Sequence, residues 1–185
     1  IQYLHDESDM HLRTNNFFGE LNSDLSINYC NKVDTSKLDV DPLWQFVGLE
    51  DARIVKWEGK LYLCGVRRDT TTNGQGRMEL SEIAKKGNTF KEISRFRIPA
   101  PFNDDSYCEK NWMPIIDMPY HFVKWSNPTE VVKVDIKNKT TERIFIGNYE
   151  EFDYDFRGGS QVIPWKNGYR ICLVHQVDLY KTRSE

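Results

Sequence analysis

Several absences narrow this 185-residue chain before any motif is read. It has no run of Lys or Arg, and its net charge is −3 with a pI near 5.9. A nucleic-acid or anionic-membrane surface is therefore not expected as the main partner. No apolar stretch approaches the ~18 residues of a membrane span, and no signal peptide opens the chain. The four cysteines, Cys30, Cys64, Cys108 and Cys172, form no CxxC pair. A zinc site would have to gather ligands from distant segments, so no metal is expected. The pattern predicts reduced, unpaired thiols in a cytoplasmic protein, with Cys64 and Cys172 buried inside apolar runs. Helical periodicity is nearly missing. Only 79–86, within RMELSEIAKK, could pass for an amphipathic helix, and its place between Gly-rich turns favours a strand. The chain lacks an initiator Met and ends at Glu185 just after a strand-like run, as expected of a fragment.

What is present is a series of extended runs rich in β-branched and aromatic residues. The organising stretch is GLEDARIVKWEGKLYLCGVRR, 48–68. Its apolar runs ARIVKW and KLYLCGV meet at Glu58-Gly59-Lys60, which predicts a hairpin over 52–67. Glu50, Asp51 and Arg53 stand at its head, where charges must be solvated, paired or used. Upstream, LSINYC (25–30) reads as a short strand, and LWQFVG follows the turn-rich DTSKLDVDP. Downstream, RMELSEIA and TFKEISRFRI flank the turn Lys86-Gly87-Asn88, and TEVVKVDI and TERIFIG read as further strands.

The layout of the first hairpin recurs twice, in EKNWMPIIDMPYHFVKW (109–125) and in RGGSQVIPWKNGYRICLVHQV (157–177). Each copy has a polar head, an apolar strand, a turn and an aromatic-rich strand, and Lys166-Asn167-Gly168 marks a hairpin over 161–176. A period of roughly 50–60 residues with several short strands per unit is the signature of a β-propeller. The expectation is an all-β chain, one domain over 1–185, with blade-like repeats near 48–100, 109–148 and 157–180. At that period it holds about three blades, a partial propeller.

GLEDARI resembles the EDPR-type motif of the five-bladed β-propeller phosphorylases and hydrolases acting on β-mannosides, glycoside hydrolase family 130. EKNWMPI with FVKW resembles the second block of that family, and RGGSQVIPWKNGYRICLVHQV its third. The likeness is closer still to propeller domains of bacterial glycosyltransferase-type proteins, which carry EKNW and RGGSQ nearly as written here. It spans about residues 45–180, and Arg13–Phe17 is similar to an earlier block. The resemblance implies glycosidic-bond chemistry on an oligosaccharide or glycoside with no cofactor, inorganic phosphate serving as co-substrate in phosphorolysis. It maps the general acid to Asp51, Lys110 and Arg157 to basic positions near the anion site, and His175 to the histidine of the third block. One departure stands out: the phosphate-holding Arg of an HRP-like element is replaced by Trp125-Ser126-Asn127-Pro128, which leaves hydrolysis, transfer and binding open.

On residue chemistry alone, an acid at Asp51 needs a raised pKa, to which the adjacent Glu50 would contribute charge. Arg53, two positions on, would share its strand face and oppose this; a plain Asp51–Arg53 pair is the structural alternative. His175 shares a predicted face with Ile171, Leu173 and Val177, where a hydrogen-bonded core histidine is the ordinary outcome. Trp112, beside Lys110 and Asn111, is a candidate stacking platform for a sugar, whereas Trp57, Trp125 and Trp165 read as wedges between blades. Arg67 and Arg68 read as surface charges. The candidate site is thus Asp51 with Glu50, Arg53, Lys110, Asn111, Trp112, Arg157 and His175, a net positive pocket around one acid. The alternatives are a non-catalytic glycan-binding propeller attached to a glycosyltransferase and, outside carbohydrate chemistry, a propeller interaction module.

Overall fold

The computed structural model describes residues 10–151 and 154–176. Val177, the end of the third repeat, and residues 178–180 lie outside the described residues. The described chain is all-β, with sixteen strands, two single-turn 3₁₀ segments and no α-helix. The strands are β1 Leu12–Arg13, β2 Phe17–Leu21, β3 Ile27–Lys32, β4 Phe46–Val47, β5 Leu49–Trp57, β6 Lys60–Arg67, β7 Arg77–Lys86 and β8 Thr89–Arg97. There follow β9 Met113–Pro114, β10 His121–Ser126, β11 Thr129–Asp135, β12 Thr140–Ile146, β13 Phe156–Gly158, β14 Ile163–Pro164, β15 Arg170–Ile171 and β16 Val174–Gln176. No helix of the described residues is long and apolar enough to cross a membrane.

Two antiparallel meanders dominate, β5-β6-β7-β8 and β9-β10-β11-β12, each four strands in chain order. RMELSEIA is the strand β7, as its setting predicts. Turn chemistry fixes the registers. Trp57 pairs with Lys60, and both residues between them, Glu58 and Gly59, have positive φ, the requirement of a type I′ hairpin turn. At the next turn only Gly87 has positive φ, between the paired Lys86 and Thr89. The third repeat is more open: β14 pairs with β15 inside the longer pairing of β13 with β16.

Alternation along the strands gives each four-stranded sheet two packing faces. One face of the first sheet (Val55, Trp57, Tyr62, Cys64, Met78, Leu80) meets Phe122, Val132 and Val134 of the second. Its other face (Leu49, Leu63, Ile83, Phe90) packs on Val33 and Phe18 of the N-terminal hairpin. The far face of the second sheet brings Val123 and Val131 into the cluster of Met113, Ile115 and Val162, the last from the third repeat. Hairpin, first sheet, second sheet and third repeat therefore stack face to face in chain order.

Packing corrects several expectations. Trp57 is the wedge foreseen, with its indole N–H on the Ile115 carbonyl at 3.0 Å. Trp125 and Trp165 are 39% and 53% exposed, because no described layer covers those strand ends. Cys64 is buried but Cys172 is exposed; all four thiols are free. Arg67 is no surface charge: it is buried, with Nε donating to Glu79 at 2.7 Å and Nη1 to Asp69 at 3.3 Å.

Candidate functional site

The heads of the three repeats meet around Arg53. Between Glu50 and Arg53 the β5–β6 register shifts, so Asp51 and Ala52 together oppose Gly65. This is a β-bulge, a device common beside functional sites. Asp51 takes φ +51 there, and glycine is needed opposite because a Cβ on Gly65 would collide with the Glu50 carbonyl and crowd Leu49. The bulge also breaks the alternation that would set Asp51 and Arg53 on one face. Arg53 turns inward and donates from Nη1 to the Trp112 carbonyl (2.7 Å) and from Nη2 to the Gly158 carbonyl (2.8 Å). One guanidinium thus ties the first repeat to the second and third. A Cβ at Gly158 would strike the Asn111 carbonyl and the Met113 side chain, so the second and third repeats are also in backbone contact.

Glu50 carries the most telling environment. It is half-buried, and no donor among the described residues reaches its Oε1. Burial pushes its carboxyl above the usual range; Arg68 and Lys110 pull it back, while Asp51 and Asp69 push it further. A desolvated carboxyl with a raised pKa is a recognised functional-site signature. Beside it, Asp51 is exposed on the bulge, as is Lys110, while Asn111 at φ +63 is partly covered. Arg68, which sequence alone placed on the surface, lies between the Phe46 and Tyr107 rings at 5.7 and 5.2 Å and donates to the Gly74 carbonyl. Its place was legible in principle: register counted back from Glu58-Gly59 brings Arg67, Arg68 and Asp69 to the hairpin mouth, and the bulge then sets Val66 rather than Arg67 opposite Glu50.

No family model, curated protein or solved structure matches this chain.

The remaining candidates divide. Trp112 cannot serve as a stacking platform: its ring is 1% exposed and packs edge-on to Phe122. Its indole N–H donates to Glu109, which also accepts from Ser106 and pairs with Lys124 at 3.4 Å. The Glu of EKNW and the Lys of FVKW are thus a buried staple, and Trp112 contributes its carbonyl to Arg53. Arg157 and His175 face each other across β13–β16, one residue from Gly158. Arg157 is forked onto Asp155 at 2.8–3.1 Å. His175 is exposed rather than set in a core, because Leu173 and Ile171 are themselves exposed. Glu50, Asp51, Arg53, Lys110 and Asn111 therefore form one neighbourhood, with Arg157 and His175 at its third-repeat border.

Two concavities border the first sheet, one beside this neighbourhood and one remote from it. One of about 200 Å³ lies against the N-terminal side of the first sheet and includes Gly48, Leu49 and Asp69. The other, about 480 Å³, opens between the two four-stranded sheets near Lys60, Tyr62, Phe96 and Tyr120. It sits at the Glu58-Gly59 end of the strands, away from Glu50. There Tyr120 donates to Glu58 at 3.0 Å and lies 3.3 Å from the Tyr62 hydroxyl; burial and these bonds push its phenol up.

Proposed function

We propose that the chain is part of a β-propeller of the β-mannoside phosphorylase/hydrolase type, acting on glycosidic bonds at the edge where Glu50, Asp51 and Lys110 meet. The propeller reading is supported by four-stranded meanders packed face to face in chain order, the way successive blades pack. The functional reading is carried by one observation: Arg53 gathers the three motif blocks, so their polar heads fall beside a pair of adjacent carboxyls in unlike environments.

Glycoside hydrolysis or phosphorolysis by inversion needs one proton donor to the leaving oxygen and one nucleophile from the opposite side. Asp51, lifted out by the bulge, is the carboxyl free to reach a bound glycoside and donate that proton. Glu50, whose carboxyl burial pushes above the usual range, supplies the adjacent charge or shares the proton; two neighbouring carboxyls in unlike environments divide such roles well. Lys110 and the more distant Arg157 offer positive charge for an anionic co-substrate, with His175 beside Arg157 as a hydrogen-bonding group. Because Arg157 is already bonded to Asp155, water or an acceptor hydroxyl is favoured over phosphate as the nucleophile.

The test is release of sugar from a panel of β-mannosides, with and without phosphate. The proposal expects turnover that Asp51→Asn lowers at least a hundredfold while binding persists, since only the acid can deliver a mobile proton. Undiminished activity in Asp51→Asn would end the assignment. The exposure of Asp51 favours a second reading, a non-catalytic glycan-binding propeller domain attached to a glycosyltransferase; sugar binding without turnover of any β-mannoside selects it.

A further inference from the structure

Arg68 is held in place with its donors left open. The neighbouring Arg53, Arg67, Arg77 and Arg97 each donate from Nη to acceptors of the protein. Arg68 donates from Nε, to the Gly74 carbonyl at 3.1 Å. Neither of its Nη atoms has an acceptor among the described residues, and neither is sealed from solvent. The guanidinium is nonetheless fixed, with the Phe46 and Tyr107 rings 5.7 and 5.2 Å from it. The loop that holds Nε is itself braced. The Gln75 N–H donates to the Thr71 hydroxyl, and a Cβ at Gly74 would strike the Trp44 ring. Ordering a long side chain costs rotamer entropy; at Arg68 that cost is met before any ligand arrives.

Backbone pairing brings Lys110 to the same place. The Gly76 N–H donates to the Tyr107 carbonyl at 2.9 Å and the Glu109 N–H to the Gly76 carbonyl at 3.0 Å. The segment carrying Tyr107 and Lys110 is thereby fixed to the loop that follows Arg68. Lys110 is exposed and has no partner among the described residues. Against the burial that raises the Glu50 carboxyl, Arg68 and Lys110 both pull it down, yet neither forms an ion pair with it. The other nearby acids are engaged: Asp69 accepts from Gly48 and Arg67, and Asp105 from Gln75. Two cations therefore stand beside the Glu50–Asp51 edge with donors open to solvent. An open pair of Nη atoms is the shape that receives a carboxylate through two parallel hydrogen bonds.

We propose that Arg68, with Lys110, holds a carboxylate carried by the glycoside itself, so that the substrate is an acidic sugar, a uronoside. Arg68 supplies the orientation and Lys110 a mobile point charge. With Asp51 exposed beside them, at most one positive charge remains, which suits a carboxylate better than a phosphate dianion. The assignment rests on the glycosidic reading above and names its substrate class.

NMR of the full chain, following the backbone amides and the Arg68 Nε–H, tests it in separate titrations with methyl β-mannuronoside, methyl β-mannoside and inorganic phosphate. The acidic sugar should bind about tenfold or more tighter than its neutral counterpart, shifting the Arg68 Nε–H and the Lys110 amide. Arg68→Lys keeps a cation between the rings and loses the fork, so it should erase most of that preference, whereas a purely structural Arg68 would leave it intact. Lys110→Gln, at an exposed position, should lower the preference while the spectrum stays native, which keeps the test decisive if Arg68→Lys fails to fold. Equal affinity for the two sugars, no binding of either, or a preference undiminished in the variants overturns the assignment. Phosphate shifting the same signals as strongly as the acidic sugar also overturns it. Turnover of β-mannosides without preference for the acidic one overturns it and leaves the glycosidic reading standing. Binding of the acidic sugar at Arg68 with no turnover of any β-mannoside supports it and rejects the catalytic reading.

Discussion

The first and third repeats are written alike and live differently. Both place a tryptophan just before a polar hairpin turn, Trp57 before Glu58-Gly59 and Trp165 before Lys166-Asn167-Gly168. Trp57 is 1% exposed, with Phe122 at right angles 5.4 Å away and Tyr62 and Tyr120 alongside. Trp165 is 53% exposed. The same holds for the thiols that follow the two turns, Cys64 buried within β6 and Cys172 exposed just after β15. It holds again for the arginines at their heads: Arg53 clasps two carbonyls, while Arg157 bonds Asp155 at an exposed edge. The first repeat is sandwiched between two layers and the third has a described neighbour on one side only. Local sequence chooses strand and turn; the number of covering layers chooses which side chains carry stability.

That contrast predicts its largest effect at the two tryptophans. Trp57→Ala should cost about 3–5 kcal/mol, the range for truncating a large buried aromatic side chain, whereas Trp165→Ala should stay within about 0.5 kcal/mol. Urea unfolding of both variants checks this, and equal losses would break the comparison. Next come the arginines. Arg53→Lys should cost about 2–3 kcal/mol, because an ammonium cannot reproduce a fork reaching two carbonyls. Arg157→Ala should cost no more than about 1 kcal/mol, as for surface ion pairs. Thermal unfolding distinguishes them, and Arg53→Lys behaving like wild type would remove the clasp from the account.

A smaller effect, of opposite sign, sharpens the functional side. Burial raises the Glu50 carboxyl in the folded state above its unfolded value, so the folded protein holds the extra proton. Its contribution to stability is full below the unfolded pKa and is lost as pH rises through the folded one. Glu50→Gln should therefore unfold at a higher temperature than wild type near pH 7, and this advantage should vanish below about pH 4. A destabilised variant at pH 7 would show Glu50 to be a structural partner rather than a group kept strained for use.

The sequence told its own local story well. Glu58-Gly59 and Gly87 announced their turns through backbone chemistry, and alternation in RMELSEIA and TFKEISRFRI identified β7 and β8. The candidate site was legible as three polar heads at repeat spacing, and five of its residues do share a neighbourhood. What alternation could not foresee was the bulge at Asp51, whose partner Gly65 lies fourteen positions on and which turns Arg53 inward. Burial was equally hidden. Nothing near Trp112 distinguishes a stacking platform from a core ring bonded to Glu109, and nothing near Arg67 reveals Glu79 until the hairpins pair. These outcomes depend on which layer comes to rest on which face, information spread over more than fifty residues.

The most direct measurement is a carbon-detected NMR titration of the Glu50 side-chain carboxyl, run with and without a β-mannoside disaccharide. The account predicts a Glu50 midpoint above the ordinary glutamate value of about 4.3, and a further displacement of that midpoint when the disaccharide binds. A Glu50 that titrates at the ordinary value, with neither its carboxyl nor that of Asp51 responding to the sugar, would contradict it.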